Sequence, residues 1–393
     1  MNIKQKIKDI VPEMMEWRHQ IHEKPEIAYQ EKVTSKFIAN KLKDFGIEVI
    51  EEFGKTGVVG IIQGKENKGQ EKSIAIRADM DALPMTEKTN LPYSSKNEGA
   101  MHACGHDGHS TMLLGAAKYL SETKNFYGKV YCVFQPAEEG GNAGAKAMIN
   151  DGLFKKFKID SVWGIHNWPG IPVGEAVIHE GFAMAGGDII VIEVKGKGGH
   201  AAQPQYANDP MVAAGLTITA LQSLISRQLD PFKSAVLSIT KIEGGSAFNV
   251  IPDTVTIGGT LRSTDQKNRN EMLDKIKKVA SNTCAISNCE LNIEIRPGYP
   301  PTINNMECAK LASKIFKKTF GDNSINLKET PTMGSEDFSY MLEEKPGAYI
   351  WLGAGASSEK LHSPFYDFND ELLPIGAQYW TDLAENILVE QSS

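Results

Sequence analysis

No run of about 18 apolar residues occurs in the chain, which excludes a helix that crosses a membrane. The opening stretch, MNIKQKIKDIVPEMMEWRHQ, has no continuous apolar segment, so no secretory leader is expected there. Cysteine is scarce. The five residues, Cys104, Cys132, Cys284, Cys289 and Cys308, are scattered and odd in number. A disulfide framework is therefore not expected, and a reducing, cytoplasmic setting fits. There is no basic stripe with interleaved aromatics, and the net charge is −7. Neither nucleic acid nor an anionic membrane is an expected partner. Internal repeats and low-complexity segments are also missing.

What remains is an ordinary globular composition, 41% hydrophobic and 23% charged over 393 residues. That length exceeds one ordinary core, so two domains are expected. Ile3, Ile7, Ile10, Met14, Trp17 and Ile21 recur at three-to-four spacing and predict a helix with one buried face. Beyond it, short apolar strands alternate with helical segments. Strands are predicted at 73–77, 129–135 and 161–166, and helices at 111–120 and 142–150. This alternation predicts an α/β sheet with largely parallel strands. From about residue 184 the pattern becomes strand, helix, strand, strand, helix, strand, with elements at 188–195, 207–228, 234–242, 254–262, 266–284 and 290–296. That is the ferredoxin-like order. Residues 184–297 are thus read as an inserted α+β domain, and residues 1–183 with 298–393 as the domain that carries the chemistry.

Candidate chemistry falls at predicted strand ends, the edge where open α/β sheets place their sites. Cys104 and His106 flank Gly105, which permits a tight bend, so that a thiolate and an imidazole can reach one metal ion. Zinc or another borderline metal suits this pair better than magnesium or calcium. A buried thiol beside a satisfied imidazole is the plainer alternative. Glu138 and Glu139 follow the strand 129–135 and Pro136. One of two adjacent carboxylates can bind metal while its neighbour moves a proton for an acidified water; a solvated acidic pair is the alternative. His166 closes the segment SVWGIH and is either a ligand or a core histidine. His362, in LHSPF, is unremarkable by itself. His102 and His109 bracket the cluster, His19 and His22 lie along the first helix, and His179 reads as a strand-surface residue.

The stretches RHQIHEKPEIAYQE, RADMDALP, MHACGHDGH, FQPAEE, GIHNWP, GKGGHAAQP, FNVIPD, MGSEDF and LHSPFYDF together resemble the aminoacylase, hippurate hydrolase and auxin-conjugate hydrolase branch of the dinuclear-metal peptidase family. They run in the family's order from Arg18 to Phe368. The resemblance implies a mixed-sheet, zinc-peptidase-like catalytic domain with an inserted ferredoxin-like lid or dimerisation domain. It implies two divalent ions per subunit (zinc, manganese, cobalt or nickel) held by Cys104, His106, Glu139, His166 and His362. Glu138 matches the general base and Asp81 an aspartate that orients a ligand. Other branches carry a histidine where this chain has Asp79, and Cys104 compensates for it. His200 matches a histidine that stabilises the oxyanion, typically in the partner subunit's site. Asn249 and Arg262 match substrate-binding positions; a turn-capping amide and a surface ion pair are their alternatives. The implied reaction is hydrolysis of an N-acyl amino acid (N-acetyl, N-benzoyl or similar) by a homodimer or higher homo-oligomer. A metallo-dipeptidase or carboxypeptidase, an N-acetyl-diaminopimelate deacetylase and an inactive metal-binding regulatory relic are the alternatives.

Overall fold

The computed structural model describes residues 3–66 and 71–390. These divide into two compact units: Met1–Ala183 with Ile303–Thr330 and Asp337–Ser393, and Met184–Thr302 with Pro331–Glu336. In chain order the larger unit opens with helices α1 (Gln5–His22) and α2 (Lys32–Asp44) and strands β1 (Glu48–Phe53), β2 (Gly57–Gln63) and β3 (Ser73–Asp79). Then come α3 (His106–Thr123), β4 (Lys129–Gln135), α4 (Gly144–Asn150), β5 (Ser161–Pro169) and β6 (Ala176–Val177). The smaller unit supplies β7 (Gly186–Lys195), α5 (Pro210–Ser223), β8 (Ala235–Glu243), β9 (Thr254–Ser263), α6 (Gln266–Ile286) and β10 (Glu290–Pro297). The chain then re-enters the larger unit with α7 (Met306–Phe320), β11 (Gly347–Gly355) and α8 (Leu372–Ile387).

The large sheet is mixed, in the order β1-β2-β4-β3-β5-β11-β6. Its centre, β4-β3-β5-β11, is parallel, whereas β1 and β2 on one side and β6 on the other pair antiparallel. The expectation of largely parallel strands therefore holds for the centre. All seven residues of β3 are buried, as a strand covered on both faces requires. β5 runs three residues beyond the predicted end at His166. The cause is a distant partner: β11 pairs Trp351 with His166 and Leu352 with Asn167, and continues the ladder to Pro169. α3 likewise begins at His106 rather than 111, because its polar first turn, HDGHS, is buried too. No amphipathic contrast marks that start.

In the smaller unit, four antiparallel strands in the order β8-β9-β7-β10 carry α5 and α6, the ferredoxin-like arrangement. α5 starts later than predicted because Asp209 caps it, accepting from Met211 N at 2.8 Å, with Pro210 in the first turn. Its predicted last turn widens into a π-helical turn over Leu224–Gln228. Among the described residues, no helix is long and apolar enough to cross a membrane.

α1 docks on α3 through a buried charge network. Arg18 Nε donates to Asp107 Oδ2 at 2.8 Å and also pairs with Asp367. His22 Nδ1 lies 2.8 Å from the same Asp107 oxygen, and its Nε2 lies 3.4 Å from Glu87. Burial opposes a charge on His22, but Asp107 and Glu87 prevail and hold it up to about 9. The folded value exceeds the unfolded one, so this stabilisation is fully present below about pH 6.5 and is lost as pH rises through about 9, on the order of 3 kcal/mol. Thermal unfolding followed from pH 6 to 10 should show wild type losing more stability than His22→Gln across that window. Parallel curves would contradict the assignment.

Candidate metal centre

The C-terminal ends of β3, β4 and β5 converge with the turn that opens α3. Cys104 and His106 lie on that turn, with Gly105 at φ 90°. A Cβ on Gly105 would run into Asn167 Oδ1, so the close approach demands glycine as much as the dihedral does. The loop after β4 is bent four times into the left-handed region, at Ala137 (φ 52°), Gly140 (φ 69°), Gly141 (φ 79°) and Ala143 (φ 55°). Glu138 and Glu139 sit within it. Gly144 follows, where any Cβ would strike the Pro136 carbonyl. His166 lies inside β5. His362, itself at φ 65°, is tied to the cluster by its N–H, which donates to Ala103 O at 2.8 Å.

Two imidazoles are oriented so that the same ring atom faces the centre. His106 Nδ1 lies 2.9 Å from Asp81 O, and His166 Nδ1 lies 2.7 Å from Asn167 O. Carbonyl oxygens only accept, so Nδ1 donates in each ring and Nε2 is the atom left to face the centre. His166 Nε2 lies 3.3 Å from Cys104 Sγ. His106 Nε2 lies 3.5 Å from Asp79 and 4.0 Å from Glu139 Oε1, and His362 Nε2 lies 3.3 Å from that Glu139 oxygen. Candidate ligand atoms within 4.8 Å of one another fall into overlapping sets: Cys104, His106 and His166; Cys104, Glu139 and His362; His106, Glu138 and Glu139. All five residues singled out as ligands and the proposed base Glu138 thus come together. Cys104, His106 and Glu139 each belong to two of these sets.

The side chains fit a cation. Among the described residues, His106 Nε2 and Glu139 Oε1 are buried without a hydrogen bond, Glu139 Oε1 facing His362 Nε2 at 3.3 Å, a costly state unless a further group meets them. Burial, then the charges of Glu139, Glu138 and Asp79, push the Cys104 thiol well up. A thiolate there needs an adjacent positive charge. Burial works against a charge on His106, but Asp79, Asp81 and Glu139 outweigh it and hold the ring up to about 10. A proton here occupies a place suited to a metal ion. Burial, reinforced by His109, holds His166 well below the usual histidine range, so it is neutral, as a ligand must be.

Asp81 lies directly beneath the glutamates. Its Oδ1 accepts from Glu138 N at 3.1 Å, its Oδ2 accepts from Glu139 N at 3.0 Å, and Oδ1 lies 3.3 Å from His106 Nδ1. One carboxylate therefore steadies a candidate ligand and the glutamate pair together. Asp79 is different. Its Oδ1 lies 2.6 Å from His109 Nδ1, and Arg77 Nη1 donates to its Oδ2 at 2.8 Å. His109 Nε2 in turn lies 2.6 Å from Asn167 Oδ1, and Asn167 Nδ2 donates to Tyr366 Oη at 2.6 Å. This buried chain ties the ends of β3 and β5, the start of α3 and the 362–366 loop to one another. Asn167 and Tyr366 were missed from sequence, although both lie in motifs already singled out, GIHNWP and LHSPFYDF. His102 is buried with neither ring nitrogen hydrogen-bonded. His179 is not on a strand but sits edge-on to Trp351 at 4.9 Å.

The other three candidates belong to the smaller unit. His200 and Asn249 are exposed. His200 Nδ1 accepts from Ala202 N at 3.1 Å, and the Asn249 carbonyl accepts from Ala201 N at 3.0 Å. Arg262 is half-buried and donates to Ser335 Oγ at 2.6 Å.

Comparison with known proteins follows the same lines. The family described as Peptidase family M20/M25/M40 matches residues 75–386. The chain is 47% identical over 384 residues to hippurate hydrolase of Campylobacter jejuni, covering 98% of this chain and 99% of that protein. It is 41% identical over 394 residues to IAA-amino acid hydrolase ILR1-like 2 of Arabidopsis thaliana, covering 97% and 88%. Among solved structures, the YXEP protein of Bacillus subtilis, described as a dinuclear metal binding peptidase from the M20 family, matches with a TM-score of 0.85 at 33% identity, covering 97% and 99%.

Proposed function

The chain belongs to the peptidase family M20/M25/M40, and from that premise we propose that it is a metal-dependent hydrolase of N-acyl amino acids. The products are a carboxylic acid and a free amino acid. The observation that carries this reading is Glu138, buried among the candidate ligands with its backbone N–H on the same Asp81 carboxylate that holds Glu139.

Cys104, His106, Glu139, His166 and His362 would hold two divalent ions. When bound, the ions supply Lewis acidity: they polarise the amide carbonyl and bring the pKa of water to about 7. Glu138 accepts a proton from the attacking water as its oxygen adds to the carbonyl carbon. It then delivers that proton to the amide nitrogen as the C–N bond breaks. Asp81 keeps the His106 tautomer and the glutamate backbone fixed through both transfers. Zinc and manganese both suit a cysteine, histidine and carboxylate set, as do cobalt and nickel. His200 is proposed as the oxyanion donor, and Asn249 and Arg262 as substrate-binding groups. In the smaller unit, the exposed Met211, Val212 and Leu216 on α5 support association with a second copy. Five cysteines without disulfides support a reducing compartment.

One named relative is a hippurate hydrolase and the other an IAA-amino acid hydrolase; hippurate is an N-benzoyl amino acid, which supports an acyl pocket tolerant of aromatic groups. Release of free amino acid from N-benzoyl, N-acetyl and indole-acetyl conjugates, measured beside a dipeptide panel on metal-loaded protein, tests the reading. Release from the conjugates is expected. Release from dipeptides alone would replace it with a dipeptidase.

A further inference from the structure

Among the described residues, no cation pairs with the buried carboxylate of Glu31. It stands just before α2, with no exposed surface. Burial pushes its carboxyl up, and the neighbouring charge that acts on it, Asp81, repels it. Burying an acid in this way costs stability, so its partners indicate what it does. Oε2 accepts from Thr56 Oγ1 at 2.7 Å, in the turn between β1 and β2. Oε1 accepts from Ala137 N at 2.9 Å.

Ala137 is the first left-handed residue of the loop that carries the glutamates. Its φ of 52° is a left-handed conformation that an alanine rarely adopts without compensation. The next two amides, of Glu138 and Glu139, donate to Asp81 at 3.1 and 3.0 Å. Three consecutive backbone N–H groups are therefore held by two buried acids from separate parts of the chain. Asp81 fixes the glutamates themselves, and Glu31 fixes the residue at which the chain turns away from β4.

We propose that Glu31 is a positioning residue for the general base: by locking Ala137 in the left-handed conformation, it sets where the Glu138 carboxylate stands relative to the bound amide. This rests on the reading of Glu138 as the base. A Glu31 that only stabilises the fold would, when removed, lower stability or metal content and leave kcat of the loaded enzyme alone.

The test compares Glu31→Leu, Glu31→Gln and Thr56→Val as metal-loaded enzymes on an N-acyl amino acid. A shift of about 1 Å in a reacting group can cost about 10²-fold. Glu31→Leu is accordingly expected to lose roughly 10²-fold in kcat, with KM within about twofold of wild type and metal per chain unchanged. Glu31→Gln keeps an acceptor oxygen for Ala137 N and should recover to within about tenfold of wild type. Thr56→Val loosens the same carboxylate and should lower kcat in the same sense, which keeps the test open if Glu31→Leu does not fold. The proposal is overturned by kcat near wild type in Glu31→Leu (or, if that variant does not fold, in Thr56→Val), or by a loss that metal content or KM fully accounts for. Glu138→Gln run alongside separates the two levels. Near-normal turnover in that variant removes the base assignment, whereas lost turnover there with an unaffected Glu31→Leu removes only the positioning role.

Discussion

Glu138→Gln is expected to fold, bind its metal ions as wild type does, and lose roughly 10²–10⁴-fold in kcat, about 3–5 kcal/mol of transition-state stabilisation. The substitution is nearly isosteric and leaves the backbone N–H that donates to Asp81 in place. Glu139, the adjacent candidate ligand, keeps its own N–H on the other Asp81 oxygen. What is lost is the ability to carry a proton from water to the leaving nitrogen. A neutral amide cannot do this at any pH, so raising the pH should not restore turnover. KM should change little, because the defect lies in a step after binding. Metal analysis and steady-state kinetics on one preparation check this. A variant that loses metal as well as activity would instead make Glu138 a ligand.

Cys104→Ser attacks the centre from the other side. Cys104 shares one set of candidate ligand atoms with His106 and His166 and another with Glu139 and His362. Its loss should therefore weaken metal binding beyond the 10–100-fold typical of changes around the ligands, by at least about 100-fold in affinity. A serine hydroxyl does not ionise readily near neutral pH and is a harder donor than thiolate, so the smaller size change does not compensate. Activity should be essentially lost at metal concentrations that saturate wild type, with partial recovery in large excess. Cobalt-loaded wild type should show a thiolate-to-metal charge-transfer band in the near ultraviolet, and the variant should lack it. A cobalt spectrum unchanged by Cys104→Ser would mean that the sulfur is not a ligand.

The candidate site residues were easier to pick out in the sequence than the framework that brings them together. Cys104-Gly105-His106 by itself was equally a buried thiol beside a satisfied imidazole, and the ordered motifs around it were what marked the pair as candidate ligands. Glu138-Glu139 could be read because a strand, a proline and two glycines bracket the pair. The four strands and two helices of the smaller unit were readable from alternation and helical spacing, with their ends shifted by local chemistry such as the Asp209 cap. The full length of β5 was not, because β11, a strand far along the chain, sets it. The true start of α3 was hidden because polar residues are buried there by ion pairs and hydrogen bonds that sequence spacing does not announce: Asp107 with Arg18 and His22, and His109 with Asp79. Glu31, although it ends the quoted stretch RHQIHEKPEIAYQE, was not singled out for the same reason. A glutamate before a charged helix reads as solvated, and only the fold places it against Ala137 N.

The most direct test is to strip the protein of metal and add back a divalent ion in measured equivalents, following release of free amino acid from an N-acyl amino acid at each step. Turnover should be absent in the stripped protein, rise with added metal and level off at two equivalents per chain, about the stoichiometry of a dinuclear hydrolytic centre. Amide hydrolysis that persists undiminished without metal, or stoichiometric metal uptake that brings no hydrolysis of any N-acyl amino acid, would contradict the account.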